Sequence, residues 1–270
     1  MSTKKRGVRW AGFLLLTILL SACSAKQPAQ PNAELLTLQV FAASSLSGAF
    51  TEIAEQFSQE HPNIQVNLNF AGSQILVAQI AQAVECDVFA PASLSSMEGL
   101  VKDGWVVEAD SQEFAQNKLV VIVPADNPGN VTELSDLANA EIDVVLAAEE
   151  VPAGKYARQA LEKMNSAFGE SFSTRVLRNV ISNEENVKQV TAKVVLGDVD
   201  AGIVYQSDSY QVPNLLVIPI DDPYNVPVVY PIAQLARSQK GEAAQLFISY
   251  VLGVDGQTIL QKWGFLPKPS

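Results

Sequence analysis

The side chains able to do covalent or metal chemistry are few. His61 is the only histidine in 270 residues, and it stands before Pro62 at the end of a helical pattern, where a solvated helix-end role is the default. No Gly-x-Ser-x-Gly elbow is available for nucleophilic catalysis, and His and Cys do not cluster at the spacings that zinc and iron sites use. The acidic pairs Glu149-Glu150 and Asp221-Asp222 could hold a cation or act as an acid/base couple, but carboxylates in polar loops are by default solvated charge. Hydrogen-bond donors remain. Ser45, Ser73, Ala153 and Val187 fall at or near expected helix starts, where backbone N–H groups lack partners and the helix dipole favours negative charge. Taken singly, a serine there is an ordinary cap, Pro152 an ordinary first helical residue, and Tyr205, behind a short strand, a core or rim residue. An oxyanion placed at any one of these helix starts would gain hydrogen bonds and a favourable dipole.

The elements that must place these groups alternate. Leu36–Phe41 is a β-rich run, followed by small residues 42–45 and then by Leu46, Phe50, Ile53, Ala54 and Phe57 at helical spacing. The helix ends near His61-Pro62, 64–70 alternates as a half-buried strand, and a second helix follows Ala71-Gly72-Ser73. Runs 87–90, 118–123 and 142–147 are apolar and β-branched, separated by helical patterns, as in a parallel sheet flanked by helices. A further helix is expected from about Ala153-Gly154, and another over 184–196, with Ser182 or Asn183 as cap and Glu184 and Glu185 at its positive end. Gly202–Tyr205, Leu215–Ile220 and Val226–Tyr230 read as strands, the last two around the turn Asp221-Asp222-Pro223. Helices over 241–252 and 256–263 close the chain. The class is α/β.

Composition narrows the partners. The net charge is −11, from 18 basic and 29 acidic residues; without Lys4, Lys5, Arg6 and Arg9, 14 basic residues face 29 acidic ones, for −15. Such a body excludes a nucleic-acid binder and repels anions at long range, so anion recognition has to be local. Those four basic residues precede an apolar run, Trp10 to Leu20, that has the order of an export signal and is too short to span a membrane comfortably. The run ends in Leu20-Ser21-Ala22-Cys23, which resembles the bacterial lipobox. The resemblance implies that 1–22 is a lipoprotein signal peptide, that Cys23 carries lipid, and that the exported protein is held at the cell membrane or in the periplasm by acyl chains. The stretch 23–35, with Pro28, Pro31 and no apolar periodicity, reads as a flexible tether. Cys86 is then the one free cysteine of the mature chain, with no disulfide partner, and reads as a small buried hydrophobe.

Several ordered segments resemble the periplasmic molybdate-binding proteins of bacterial ABC importers. They are Val40–Leu46, Phe70–Ser73, Asp87–Ala90, Val151–Ala157, Gly202–Asp208, Tyr230–Ala233 and Gly264-Phe265, and they run along essentially the whole body. The resemblance implies a two-lobed type II binding-protein fold, each lobe a mixed, mostly parallel sheet flanked by helices, with lobe one at 36–117 plus 227–270 and lobe two at 118–226. It implies a ligand, molybdate or tungstate, in the interlobe cleft, held by the hydroxyls of Ser45, Ser73 and Tyr205 and by the backbone of Ala153 and Val187, with no cofactor and no bare metal cation. It further implies a monomer that serves a membrane permease and has no catalytic residue. The same architecture could take sulfate, phosphate or a ferric complex, and, more remotely, support hydrolysis.

Overall fold

The computed structural model describes Thr3 and residues 35–268. The export signal, Cys23 and, apart from Leu35, the tether lie outside the described residues. The elements run in the order β1 (Leu36–Ala43), a 3-10 turn (Ser44–Leu46), α1 (Ser47–Glu60), β2 (Ile64–Ala71), α2 (Ser73–Ala81), β3 (Val88–Ala90) and α3 (Leu94–Lys102). After them come β4 (Gln112–Asn117), β5 (Leu119–Pro124), β6 (Val144–Ala147), α4 (Pro152–Phe168), α5 (Phe172–Arg178), β7 (Val180–Glu184) and α6 (Val187–Leu196). The chain closes with β8 (Ala201–Tyr205), α7 (Gln206–Ser209), β9 (Leu215–Pro219), β10 (Val228–Gln234), α8 (Gly241–Leu252), α9 (Val254–Lys262) and β11 (Leu266–Pro267).

These strands form two sheets, in the orders β11-β4-β10-β3-β1-β2 and β7-β6-β8-β5-β9. The class is α/β as the sequence implies, and both sheets are mixed. They are less parallel than expected. Parallel pairing is confined to β1 with β2 and β3, and to β6 with β7 and β8, while β10 and β5 pair antiparallel with their neighbours. The reason lies in the connections. A parallel neighbour needs a crossover, usually a helix, and β4 to β5 and β9 to β10 are linked without one because these strands carry the chain between the two sheets.

β1 shows why the centre of the first sheet forms. Val40, Phe41, Ala42 and Ala43 are all buried, so the second half of this strand has no solvent face and reads as a continuous apolar run, the mark of a parallel strand covered on both sides. Its register with β2 ends at Ala43 opposite Ala71, and with β3 at Ala42 opposite Ala90. Three strand ends therefore stop at one level, and the turns that follow lie side by side. β6 and β7 do the same in the second sheet, with Ala147 opposite Glu184.

Local differences from the sequence reading have plain causes. The helix expected over 184–196 begins at Val187, capped by Asn186, whose side chain accepts from the Gln189 N–H; Glu184 ends strand β7, which its polar, alternating sequence concealed. Strands β4 and β7 and helix α5 lack a strong apolar period, and β10 starts at Val228 and runs on to Gln234.

Candidate functional site

The turn after β1 and the N-termini of α2, α4 and α6 converge on one small cavity of about 10 Å³, a volume on the scale of one water molecule. Ser45, Ser73, Ala153, Val187 and Tyr205 all line it, together with Ala43, Ser44, Ala71, Gly72, Ala92, Val151 and Pro152. The five positions implied for ligand binding are thus in one place. The first sheet and its helices supply Ser45 and Ser73; the second supplies Ala153, Val187 and Tyr205.

Each helix start offers donors. The leading N–H groups of a helix have no partner within it, and neither the turn at Ser44–Leu46 nor α2 nor α4 has a side-chain cap. In α4, Pro152 takes the first position, where its missing N–H costs nothing, and leaves the Ala153 N–H as the first donor. Gly154 follows because nothing larger fits: a Cβ there would lie 2.0 Å from the carbonyl oxygen of Ala148 and 2.3 Å from that of Ala147. That contact seats α4 on the end of β6. In α6, Asn186 satisfies the Gln189 N–H at 3.2 Å, and Val187 stands at the cavity wall.

The hydroxyls are oriented by their neighbours. The Ala92 N–H donates to Ser73 Oγ at 3.0 Å, so the serine's own proton is free to point elsewhere. Ser45 Oγ lies 3.1 Å from Tyr230 Oη. Tyr205 Oη is buried without a hydrogen-bond partner, and an unsatisfied buried hydroxyl is costly. Burial, helped by the neighbouring charges of Tyr230, Tyr156 and Asp208, holds the Tyr205 hydroxyl well above its ordinary value of 10.0, so it stays a donor through the physiological range.

No charged side chain lines the cavity. Lys155 and Lys188 border two flanking openings, and Lys188 is engaged by Asp208 at 3.0 Å, a carboxylate with no exposed surface. Burial raises the Asp208 carboxyl while Lys188 acts in the opposite direction.

Residues that the sequence did not single out support the site. Tyr230 and Asn117 are fully or almost fully buried and are joined to Ser45 by hydrogen bonds. Tyr230 lies in one of the segments that carry the family resemblance, which implies no role for it; Asn117 is in sequence only a polar residue ahead of an apolar run. The acidic pairs expected to be solvated are exposed, with Asp222 meeting Lys118 at 2.7 Å. Cys86 is free and buried, with burial pushing its thiol far above the ordinary range, as a small hydrophobe requires. His61 is the residue that ends α1, its ring 4.5 Å from that of Phe57. Among the described residues no three His, Cys, Asp or Glu side chains gather as a metal site, and no helix is long and apolar enough to cross a membrane.

Known proteins share both the sequence and the fold. The molybdate-binding protein ModA of Mycobacterium tuberculosis is 33% identical over 269 residues, covering 96% of this chain and 99% of its own. A Bacillus subtilis relative named as an ABC transporter substrate-binding lipoprotein is 29% identical and covers 92% of this chain and 93% of its own. The solved periplasmic molybdate-binding protein of Azotobacter vinelandii superposes with a TM-score of 0.74 at 22% identity, over 86% of this chain and all of that one, which places the fold among the type II periplasmic binding proteins. The bacterial extracellular solute-binding protein family matches residues 38–266. With that match and relatives that align end to end, the chain belongs to the bacterial extracellular solute-binding proteins, a family of binding proteins rather than enzymes.

Proposed function

We propose that this chain is the substrate-binding component of an ABC importer, that it captures molybdate and also tungstate, and that it delivers them to a membrane permease as a monomer anchored by lipid at Cys23. The observation that carries the reading is the meeting of Ser45, Ser73, Ala153, Val187 and Tyr205 around one small cavity without a charged lining. A fully deprotonated tetrahedral dianion has acceptors only, and this cavity has unpaired N–H and O–H groups to match them. Hydrogen bonds to a charged acceptor are roughly twice as strong as neutral ones, so no lysine or arginine is required. The name of the mycobacterial relative favours molybdate, and that of the Bacillus relative favours a lipid anchor.

Both halves contribute donors, so the anion would stabilise the closed arrangement by bridging them. The hinge in this proposal is the pair of crossings at Lys118 and at 220–227, with lobe one at 36–117 plus 227–270 and lobe two at 118–226. Sulfate is the second reading, because it presents the same four acceptors. Phosphate fits less well: its monohydrogen form carries a proton, and no carboxylate lines the cavity to accept it. Titration calorimetry with molybdate, tungstate, sulfate and phosphate in parallel tests the reading. Tight binding of molybdate and tungstate is expected; binding of phosphate alone, or of none of the four, would end it. Intact-mass measurement of the membrane fraction tests the anchor at Cys23.

A further inference from the structure

The hydroxyl of Ser45 is one end of a hydrogen-bond chain whose direction is fixed at the other end. The Lys118 N–H can only donate, and it meets Asn117 Oδ1 at 3.0 Å, which settles the orientation of the Asn117 amide. Asn117 Nδ2 must then donate; it meets Ser207 Oγ at 2.8 Å and Tyr230 Oη at 3.5 Å. With a donor on that side, the Tyr230 proton has Ser45 Oγ, at 3.1 Å, as its acceptor. Ser45 is thereby left with its own proton free for the cavity it lines. All the links are buried: Asn117 is 2% exposed, Ser207 4%, Tyr230 0% and Ser45 4%. Water therefore does not scramble the order. Burial, which the Asp208 charge reinforces, also keeps the Tyr230 hydroxyl protonated.

The chain runs through the joint between the two halves. Asn117 ends β4, Lys118 is the single residue between β4 and β5, Ser207 follows Tyr205 in the second half, and Tyr230 returns on β10. At Ser73 the same logic holds with a shorter chain, the Ala92 N–H donating to Oγ at 3.0 Å.

We propose that Asn117 and Tyr230 are the specificity-setting residues of this site: by ordering protons toward Ser45 they make it donate, so the site takes fully deprotonated tetrahedral anions and rejects those that carry a proton. This inference rests on the oxyanion reading of the cavity. It makes Asn117 a positioning residue, acting on the anion through two hydroxyls, since Asn117 is not among the residues that line the cavity.

The discriminating change is Asn117→Asp. A carboxylate accepts where the amide donated, so Tyr230 O–H turns to it, Ser45 O–H turns to Tyr230, and a serine lone pair faces the cavity. Tyr230→Phe is the companion variant: it removes the ordering hydroxyl but introduces no acceptor. Calorimetric titration of the unmutated protein and both variants with molybdate and with phosphate, at mildly alkaline pH where phosphate is the monohydrogen dianion, reads the outcome. Molybdate affinity should fall about tenfold or more in Asn117→Asp, the loss of about one charge-assisted bond, and fall less in Tyr230→Phe, where Ser45 keeps its proton but loses the group that orders it. The ratio of phosphate to molybdate affinity should rise about tenfold or more in Asn117→Asp, and rise less in Tyr230→Phe. An unchanged ratio in a folded Asn117→Asp protein overturns the proposal; if that variant does not fold, undiminished molybdate affinity in Tyr230→Phe overturns it. Failure of the unmutated protein to bind molybdate overturns the oxyanion reading itself, and this inference with it.

Discussion

Individual residues here are distinguished by what they lack. Ser73 has a bond accepted and none donated to protein, and Tyr205 has no partner at all, so each holds a proton that folding alone leaves unused. Ser45→Ala and Ser73→Ala should each weaken anion binding by about 1.5–3 kcal/mol, the worth of a hydrogen bond to a charged group, with the fold intact by circular dichroism. Tyr205→Phe should behave alike in binding and cost no stability, since it removes a buried hydroxyl that has no partner. Buried tyrosines also set a pH limit. Tyr205 and Tyr230 are held above the ordinary value of 10.0, chiefly by burial. The unfolded chain releases these protons near 10.0 while the folded chain keeps them, so their contribution is complete below that pH and falls as pH rises through it. Thermal melts at rising alkaline pH should show the loss, and Tyr230→Phe should reduce its steepness.

The elements carry the geometry, and two of their contacts are open to test. Asn225 braces the joint: its Oδ1 accepts from the N–H groups of Leu119 and Val226 at 3.0 Å, and its Nδ2 donates to the carbonyls of Leu119 and Ile220 at 2.9 and 3.0 Å. Asn225→Ala would leave buried backbone groups of both crossings unpaired, at about 1–3 kcal/mol each, and chemical denaturation should record a loss of about 3 kcal/mol. Gly154 lets α4 rest on the end of β6. Gly154→Val should push the helix off the Ala147 and Ala148 carbonyls, lowering both stability and affinity because the Ala153 N–H moves with it. Part of this level was legible in advance. That Ser45, Ser73, Ala153 and Val187 each lie where a strand gives way to a helix follows from the local pattern, but that two separate sheets bring them together was implied by the family resemblance alone. Asn117 and Tyr230 could not be placed, because they meet through antiparallel pairing of β4 with β10, where the register shifts between Tyr230 and Pro231. A bulge re-aims a side chain, and nothing in the local pattern announces it. The cap of α6 was misplaced for a related reason: Ser182, Asn183 and Asn186 are all good caps, and only the pairing of β7 with β6 decides that the strand runs through the first two.

On the proposed function, the whole molecule would work against its ligand until contact is made. The body is strongly acidic, and its long-range field repels anions, while in the proposed function the cavity would attract them through dipoles and hydroxyls that act only over short distances. Salt screens the repulsion on a scale of about 10 Å at 0.1 M. Stopped-flow association of molybdate should therefore speed up as ionic strength rises, the opposite of a basic, steered site, with dissociation little changed. The central claim is that a tetrahedral dianion sits at the meeting of four helix starts and one tyrosine, without a cationic side chain. Molybdenum anomalous diffraction from crystals grown with molybdate tests it directly. The account predicts a single strong peak within hydrogen-bond reach of Ser45 Oγ, Ser73 Oγ, Tyr205 Oη and the N–H groups of Ala153 and Val187; a peak seated on Lys155 or Lys188 instead, or an empty cavity in crystals saturated with the anion, would contradict it.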